Sequence, residues 1–341
     1  MKAMVLTKTG SLEDHPLQLR EVVNPWPRAG EIRIQVAACG VCHTELDEIE
    51  GRLEGRLPVI PGHQVIGRVD ALGPRTTCFT VGQRVGVAWL YSSCGVCDFC
   101  LADQENLCEQ FRGTGCHADG GYAEHMVAPE QSVYPIPESF SDVQAAPLLC
   151  AGVVGYRALR LTNLQDGQSL GFFGFGASAH IVLQAARHKF PKARLLVFTR
   201  AGQTEHQKLA TNLGADWVGT TGETPPVPLD AAIDTTPAWT PIVEALRILR
   251  PGGRLVINAI RKESRDQNAW LRLDYATHLW REKEIKTVAN VTRRDALEFL
   301  PLAAQAGIRP EVQEFALEQA NEALSLVKRG ATKGAAVLRI A

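Results

Sequence analysis

From about residue 150 onward, short apolar runs alternate with helical patterns, and that alternation narrows the fold more than anything else in the chain. SLGFFG (169–174) is an apolar run ending in glycine, and ASAHIVLQAARHKF (177–190) after it has helical spacing. RLLVFTR (194–200) follows as a second strand, with QKLATNLGA as a helix behind it, and LDAAIDT (229–235), RLVINAI (254–260) and IKTVANV (285–291) continue the series. Strands alternating with helices make βαβ units and a parallel sheet. The first third reads differently. EIRIQVAA (31–38) and VIGRVDAL (65–72) are strands separated by turns at PRAGE, LPVIPGH and VGQRVGV, so this part is β-rich. After residue 290 come two helical segments, RRDALEFLPLAAQ and LEQANEALSLVKRG, then a strand, GAAVLRI. This tail is expected to pack back on the first part. A chain of 341 residues has room for two domains.

An apolar fraction of 45% with 21% charged residues is that of a soluble globular protein. The formal net charge of −1 gives no bulk electrostatic case for nucleic acid or a membrane surface. The opening MKAMVLTKTG lacks the apolar core of a signal peptide, and the run AAPLLCAGVVGY (145–156) is far short of the ~20 residues that span a bilayer. The expectation is a cytoplasmic protein whose thiols stay reduced.

Nine cysteines in such a chain do not suggest a disulfide framework. CGVCDFC (94–100), followed by Cys108, instead places Cys94, Cys97, Cys100 and Cys108 at the spacing of a tetrahedral thiolate cage. Four thiolates fill the coordination shell of a zinc ion and leave no position for substrate, so this site is expected to be structural.

G-F-G-A-S-A (174–179) lies between a strand and a helix and matches the G-x-G-x-x-A fingerprint of dinucleotide sites. Gly174 makes the tight turn, Gly176 lets backbone amides approach a pyrophosphate, and Ala177 and Ser178 open the helix whose N-terminus favours the phosphate charge. The next strand ends in Thr199 and Arg200, with no carboxylate to bind the ribose hydroxyls of NAD. A hydroxyl followed by a guanidinium suits a 2′-phosphate, so NADP(H) is expected over NAD(H).

Three further segments carry ligand types: CGVCHTELD (39–47), PGHQVIGRV (61–69) and LLCAGVVGYRAL (148–159). Together with the four-cysteine loop and G-F-G-A-S-A, the segments G-V-C-H-T, P-G-H and C-A-G-V make the chain resemble the zinc-dependent alcohol dehydrogenases of the medium-chain family over essentially its whole length. The resemblance implies an α/β protein with a GroES-like, β-rich catalytic domain over 1–149, completed by 291–341, and a Rossmann domain, a doubly wound parallel sheet that binds coenzyme, over 150–290. It implies two zinc ions per chain, the catalytic one held by Cys42, His63 and Cys150 with a fourth position open to substrate. It also places Thr44 where the family's hydroxyl takes the substrate proton, His43 at the coenzyme pyrophosphate, and Trp89 in the substrate pocket or simply in the core. The reaction implied is hydride transfer between a nicotinamide coenzyme and an alcohol, aldehyde or ketone, with zinc as Lewis acid, in a homodimer or homotetramer.

Three differences from the family pattern stand out. Asp47 stands where many members have the histidine that ends the proton relay. Gln64 replaces the glutamate that usually follows the ligand histidine, and Val154 with Gly155 replaces a Thr-Val pair at the nicotinamide face. They leave open a nicotinamide-dependent reductase of a conjugated C=C bond or an imine, and a non-catalytic zinc- and nucleotide-binding relative. Cys39 pairs with Cys42 as a CxxC that in isolation could be redox-active, but the resemblance makes Cys39 a small buried residue. Cys78 and Cys116 fit no metal pattern and are expected to pack in the core.

Overall fold

The structure, a computed structural model, describes residues 1–340. The chain divides into two compact units. One comprises Met1–Val153, Asn290–Ala304 and the chain from Arg309 on; the other comprises Val154–Ala289 with Gln305–Ile308.

The first unit opens with β1 (Lys2–Leu6) paired antiparallel to β2 (Leu17–Glu21). Its main strands are β3 (Glu31–Val41), β4 (Val65–Leu72) and β5 (Arg84–Val87), with helix α1 (His43–Ile49) following β3 directly. A two-stranded ribbon of β6 (Leu90–Ser92) and β7 (Arg112–Gly113) brackets the cysteine loop and its short helix α2 (Asp98–Leu101). β8 (His125–Pro129), β9 (Val133–Pro135), α3 (Asp142–Ala145) and α4 (Ala151–Leu161) follow.

β3 alternates buried and part-exposed residues at first, as a half-buried strand should, but Ala38 to Val41 are buried without alternation apart from position 37 before them. The end of β3 that leads into α1 is therefore covered on both faces. Ile32, Ile34 and Val36 meet Val65 and Val69 of β4 and Val85 and Val87 of β5 in the core of this unit. Burial of such side chains contributes about 1.5–3 kcal/mol each.

The second unit alternates strand and helix: β10 (Ser169–Phe173), α5 (Ala177–Lys189), β11 (Arg194–Thr199), α6 (Thr204–Asn212), β12 (Trp217–Thr220), β13 (Leu229–Asp234), α7 (Thr240–Ile248), β14 (Leu249–Ile257) and β15 (Glu284–Thr287). All six strands pair in parallel in the order β12-β11-β10-β13-β14-β15. This is the doubly wound order in which chain direction across the sheet reverses between the first and fourth strands, here β10 and β13. The crevice beyond their carboxyl ends is where such sheets take ligands. Apolar clusters fill both faces, with Phe172 on one and Phe173 on the other, which is why β10 reads as a continuous apolar run.

The chain then returns to the first unit through α8 (Arg293–Gln305), β16 (Val312–Ala316), α9 (Ala320–Arg329) and β17 (Ala335–Arg339). β17 pairs antiparallel with β3, placing Ala336 opposite Val41. The seven-stranded sheet runs β16-β17-β3-β4-β5-β9, and β8 shares an edge of β3 with β17.

Several boundaries differ from the sequence expectation. The division between units falls inside α4, after Val153 rather than at 149/150, so Cys150 belongs with the first unit. The reason is packing: Phe299 of α8 lies so close to Gly152 that a Cβ there would stand 2.4 Å from the ring. α6 starts three residues ahead of the expected helix, and β14 starts at Leu249, where a bulge across Arg-Pro-Gly-Gly interrupts its pairing with β13. No described helix is long and apolar enough to cross a membrane.

Candidate functional site

Cys42 stands at the joint between β3 and α1, as the N-cap of the helix. Its sulfur accepts the Thr44 N–H at 3.4 Å, and its own N–H donates to Glu45 Oε2 at 2.9 Å. This is a capping box with a cysteine as the cap, and it orients the sulfur and the helix together. The other Glu45 oxygen, Oε1, lies 2.6 Å from His63 Nδ1. One buried carboxylate thus ties the backbone of Cys42 to the ring of His63. With Nδ1 turned to Glu45, Nε2 is the nitrogen left to act as a ligand, and it sits 3.7 Å from Cys42 Sγ.

Cys150 follows a short 3₁₀ turn, Ala146–Leu149, and immediately precedes α4. The ligand atoms of Cys42, His63 and Cys150 all lie within 4.8 Å of one another. Three residues 21 and 87 positions apart along the chain therefore converge on one point, all within the first unit. Proximity to Cys150, followed by burial and the Glu45 carboxylate, holds the Cys42 thiol well above its usual pKa. Burial alone would lower the His63 pKa, but Glu45 and then Cys42 outweigh it and push it well up. Burial likewise opposes ionisation of Glu45, yet His63 and the Cys42 N–H hold its carboxyl below the usual range. The negative groups that raise the thiol and the imidazole converge on the point a cation would occupy.

Trp89 sets the edge of this cluster. Its ring meets His63 edge to face, centroids 5.1 Å apart, and stacks on Phe111 at 6.3 Å. It is both buried and a wall of the site. Thr44 and Asp47 are buried on α1, one turn apart and so on one face, whereas His43 is exposed. Asp47 Oδ1 is met by Arg52 Nε at 2.6 Å, and Arg52 also pairs with Glu50. Gln64 is buried with its Nε2 unpartnered.

The second cluster is Cys94, Cys97, Cys100 and Cys108, whose sulfurs also lie within 4.8 Å of one another. The N–H groups of Val96 and Cys97 donate to Cys94 Sγ at 3.5 and 3.3 Å and draw its thiol down to about 6. The Cys94 N–H donates to Cys108 Sγ at 3.5 Å. Amides aimed at sulfurs stabilise thiolates, so the donor set and its surroundings fit a closed four-sulfur metal site. The loop is anchored by the buried Glu105, whose Oε1 accepts from the Arg293 N–H at 3.2 Å and Nη1 at 3.1 Å at the start of α8. All nine cysteines are free. Cys39 and Cys116 are buried as expected, but Cys78 is exposed, on a loop held by Glu130 rather than in the core.

In the second unit, Gly174 turns at φ +83° between β10 and α5, and a Cβ there would meet Thr235 and Thr236 within about 3 Å. At Gly176 a Cβ would meet nothing within 4 Å, so the turn leaves room there for a pyrophosphate to approach the backbone. Ala177 is exposed and Ser178 partly exposed at the start of α5. Gly155 answers to packing: a Cβ there would lie 2.2 Å from Val182 and 2.5 Å from the Ser178 hydroxyl. At the end of β11, Arg200 is exposed, but Thr199 is buried and its hydroxyl accepts from Gln207 Nε2 at 2.9 Å. Of the expected pair, only the guanidinium faces outward.

Glu45 escaped the sequence reading. The available signal was a carboxylate three residues after a ligand cysteine at a helix start, the capping-box spacing with sulfur in place of hydroxyl.

Residues 28–138 match the alcohol dehydrogenase GroES-like domain. Over its full length the chain is 41% identical to a probable alcohol dehydrogenase, AdhA, of Mycobacterium tuberculosis (strain CDC 1551 / Oshkosh), of which 97% is covered. An alcohol dehydrogenase of Geobacillus stearothermophilus is 34% identical over 95% of this chain and 96% of its own. Among solved structures, the alcohol dehydrogenase of the archaeon Aeropyrum pernix superposes with a TM-score of 0.84 at 26% identity, covering 99% of this chain and all of the other.

Proposed function

Because the chain belongs to the zinc-type alcohol dehydrogenases of the medium-chain family, we propose that Cys42, His63 and Cys150 hold a catalytic zinc, that Cys94, Cys97, Cys100 and Cys108 hold a structural one, and that the turn at Gly174–Ser178 takes NADP(H) in preference to NAD(H). The observation that carries this reading is the three-ligand cluster: two sulfurs and an imidazole within 4.8 Å, one ligand fewer than a closed tetrahedral site. Bound there, zinc supplies Lewis acidity toward a substrate oxygen, and the dinucleotide supplies the hydride acceptor or donor.

The protein's own residues do the rest. Glu45 fixes the His63 ring so that Nε2 faces the cluster. Thr44, two residues after Cys42, offers a hydroxyl to take the proton of an alcohol, and Asp47, one turn on along the same face of α1, is the next acceptor. Arg52 holds that carboxylate from its outer side. Trp89 walls the substrate space with an apolar ring, which suits primary or secondary alcohols and the matching aldehydes or ketones. His43, exposed at the start of α1, is assigned to the coenzyme pyrophosphate. The coenzyme preference rests on the exposed Arg200 and on the absence of a carboxylate at the end of β11. The relatives named above are alcohol dehydrogenases, which leaves reduction of a C=C bond or imine, and a non-catalytic role, without support.

The proposal extends to a cytoplasmic homodimer or homotetramer. Free thiols suit a reducing compartment. β15 ends the sheet order of the second unit, and Trp270, Leu271, Tyr275 and Trp280 are exposed in the segment leading to it, an apolar surface that a second copy would cover.

The test is metal analysis joined to a panel of aldehydes and ketones assayed with both reduced coenzymes. The expected result is two zinc ions per chain, loss of turnover when a chelator removes the catalytic one, and a higher kcat/KM with NADPH. Turnover that survives complete zinc removal overturns the mechanism, and a clear NADH preference overturns the assignment of Arg200.

A further inference from the structure

The crevice between β10 and β13 is bordered by a buried charge pair that the chemistry above does not use. Asp234, the last residue of β13, is fully buried. Lys262, in the segment after β14, brings its ammonium onto Asp234 Oδ2 and also donates to the carbonyls of Thr236 at 2.8 Å and Ala238 at 3.0 Å. An ammonium has three N–H donors, and here each has an acceptor. Lys262 has no proton left for a phosphate. Whatever it does for a ligand, it does through the loop it holds.

That loop lies against the dinucleotide turn. Thr235 N–H donates to Phe173 O at 3.0 Å, at the end of β10. Thr235 Oγ1 and Thr236 Cγ2 stand 3.0 and 2.8 Å from where a Cβ on Gly174 would be. The second Asp234 oxygen accepts from the N–H and hydroxyl of Thr236 at 3.0 and 2.8 Å, so both carboxylate oxygens shape the same four residues. The segment carrying Lys262 is itself laced to this loop. Glu263 N–H donates to Pro237 O at 2.7 Å, Trp239 Nε1–H donates to Glu263 O at 2.8 Å, and Asp266 caps α7 by accepting from the N–H groups of Trp239 and Thr240. Upstream, Asn258 N–H donates to Asp234 O at 2.8 Å, and its side chain reaches the Ser178 hydroxyl at 3.5 Å. Gly174 and Ser178, both within the fingerprint, are touched by parts that meet at the Lys262–Asp234 pair.

We propose that Lys262 is a positioning residue for the coenzyme: its ammonium locks the Thr235–Ala238 loop in the shape that supports the Gly174 turn, and so sets dinucleotide affinity rather than the rate of hydride transfer. This rests on the reading of Gly174–Ser178 as the dinucleotide site. A loop held in its bound shape beforehand loses little freedom when ligand arrives; released, it must be ordered at the expense of binding.

The test uses the zinc-loaded full chain. Dissociation constants for NADPH and NADH are measured by titration of coenzyme fluorescence, alongside zinc content and kcat at saturating coenzyme. Lys262→Met leaves Asp234 buried and unpaired and is at risk of misfolding. The double variant Asp234→Asn/Lys262→Met removes both charges, and Lys262→Arg keeps the charge while exchanging three divergent donors for a planar fork. Expected is binding weakened about tenfold or more in the double variant and less in Lys262→Arg, with zinc content and saturated kcat little changed. Wild-type affinity in the folded double variant overturns the proposal, as does a fall in kcat with affinity intact. Failure of the wild-type protein to bind either coenzyme would instead remove the dinucleotide reading, a result separate from any difference between variants.

Discussion

Two carboxylates on α1, three residues apart and both buried, behave in opposite ways. Glu45 has the His63 ring and the Cys42 N–H as partners and stays ionised; Glu48 has neither oxygen partnered, and burial, then repulsion from Glu45, pushes its pKa well up. Replacing Glu45 by Gln keeps an acceptor for the Cys42 N–H but loses the charge that polarises the imidazole. Zinc affinity, read by competition with a chromophoric chelator, is expected to fall by about 10–100-fold. For Glu48 the sign is the reverse of a salt-bridged acid. Its folded pKa lies above the unfolded value of about 4.3, so the wild-type protein loses stability as pH rises from that value toward the raised one. Glu48→Gln does not titrate there. Its melting temperature is expected to exceed the wild type by roughly 2–4 °C at pH 8 and to match it near pH 4. The convergence of Cys42, His63 and Cys150 was expected from the motifs around them, and their ligand atoms do lie together. Glu45 was not, because a carboxylate acquires its role only when two distant segments meet at it. The hydroxyl of Thr199 misled for a related reason: sequence places it at the right strand end, but side-chain direction turned it toward Gln207.

Elements with one strong period were readable to within a residue or so. β4, β10, α5 and β13 fall where apolar patterning put them; β10 and β13, parallel strands covered on both faces, have no other way to read. Two short edge strands escaped. β12 spans only Trp217–Thr220 and β16 is largely exposed, so neither carries a pattern. α8 runs through Pro301, which removes one backbone donor, but the carbonyl left over is that of Leu297, whose side chain is on the exposed face, where water can serve it. The head of α8 also receives Glu105 from the cysteine loop. Cys97→Ser is therefore expected to cost one zinc of two and to make the segment 94–108 the first site cut in limited proteolysis, while the zinc at His63 is retained. Loss of both metals together would show that the two sites are not independent.

At the scale of the molecule, the β-rich unit is assembled from three stretches of chain and the dinucleotide unit almost from one. The change from strand-and-turn to βαβ patterning and the return of the strand GAAVLRI to the first part were readable in the sequence. That this strand lies beside β3 was not, because partners so far apart along the chain leave no local trace. Deleting residues 335–341 removes the neighbour of β3 at Val41, one residue ahead of Cys42. The truncated protein is expected to lose zinc at Cys42 and His63 yet keep measurable coenzyme binding, checked by metal content and fluorescence titration. Equal zinc content in the two proteins would show that β17 does not hold β3 in place.

The same pairing dictates an order of events at the ribosome. The second unit is nearly continuous in sequence, whereas the first needs from far downstream the strand β17, inserted beside the strand that delivers Cys42. Organisation of that thiol thus waits on residues 335–339, and a nascent chain stalled short of residue 335 would present two sulfurs and an imidazole without the scaffold that brings them together.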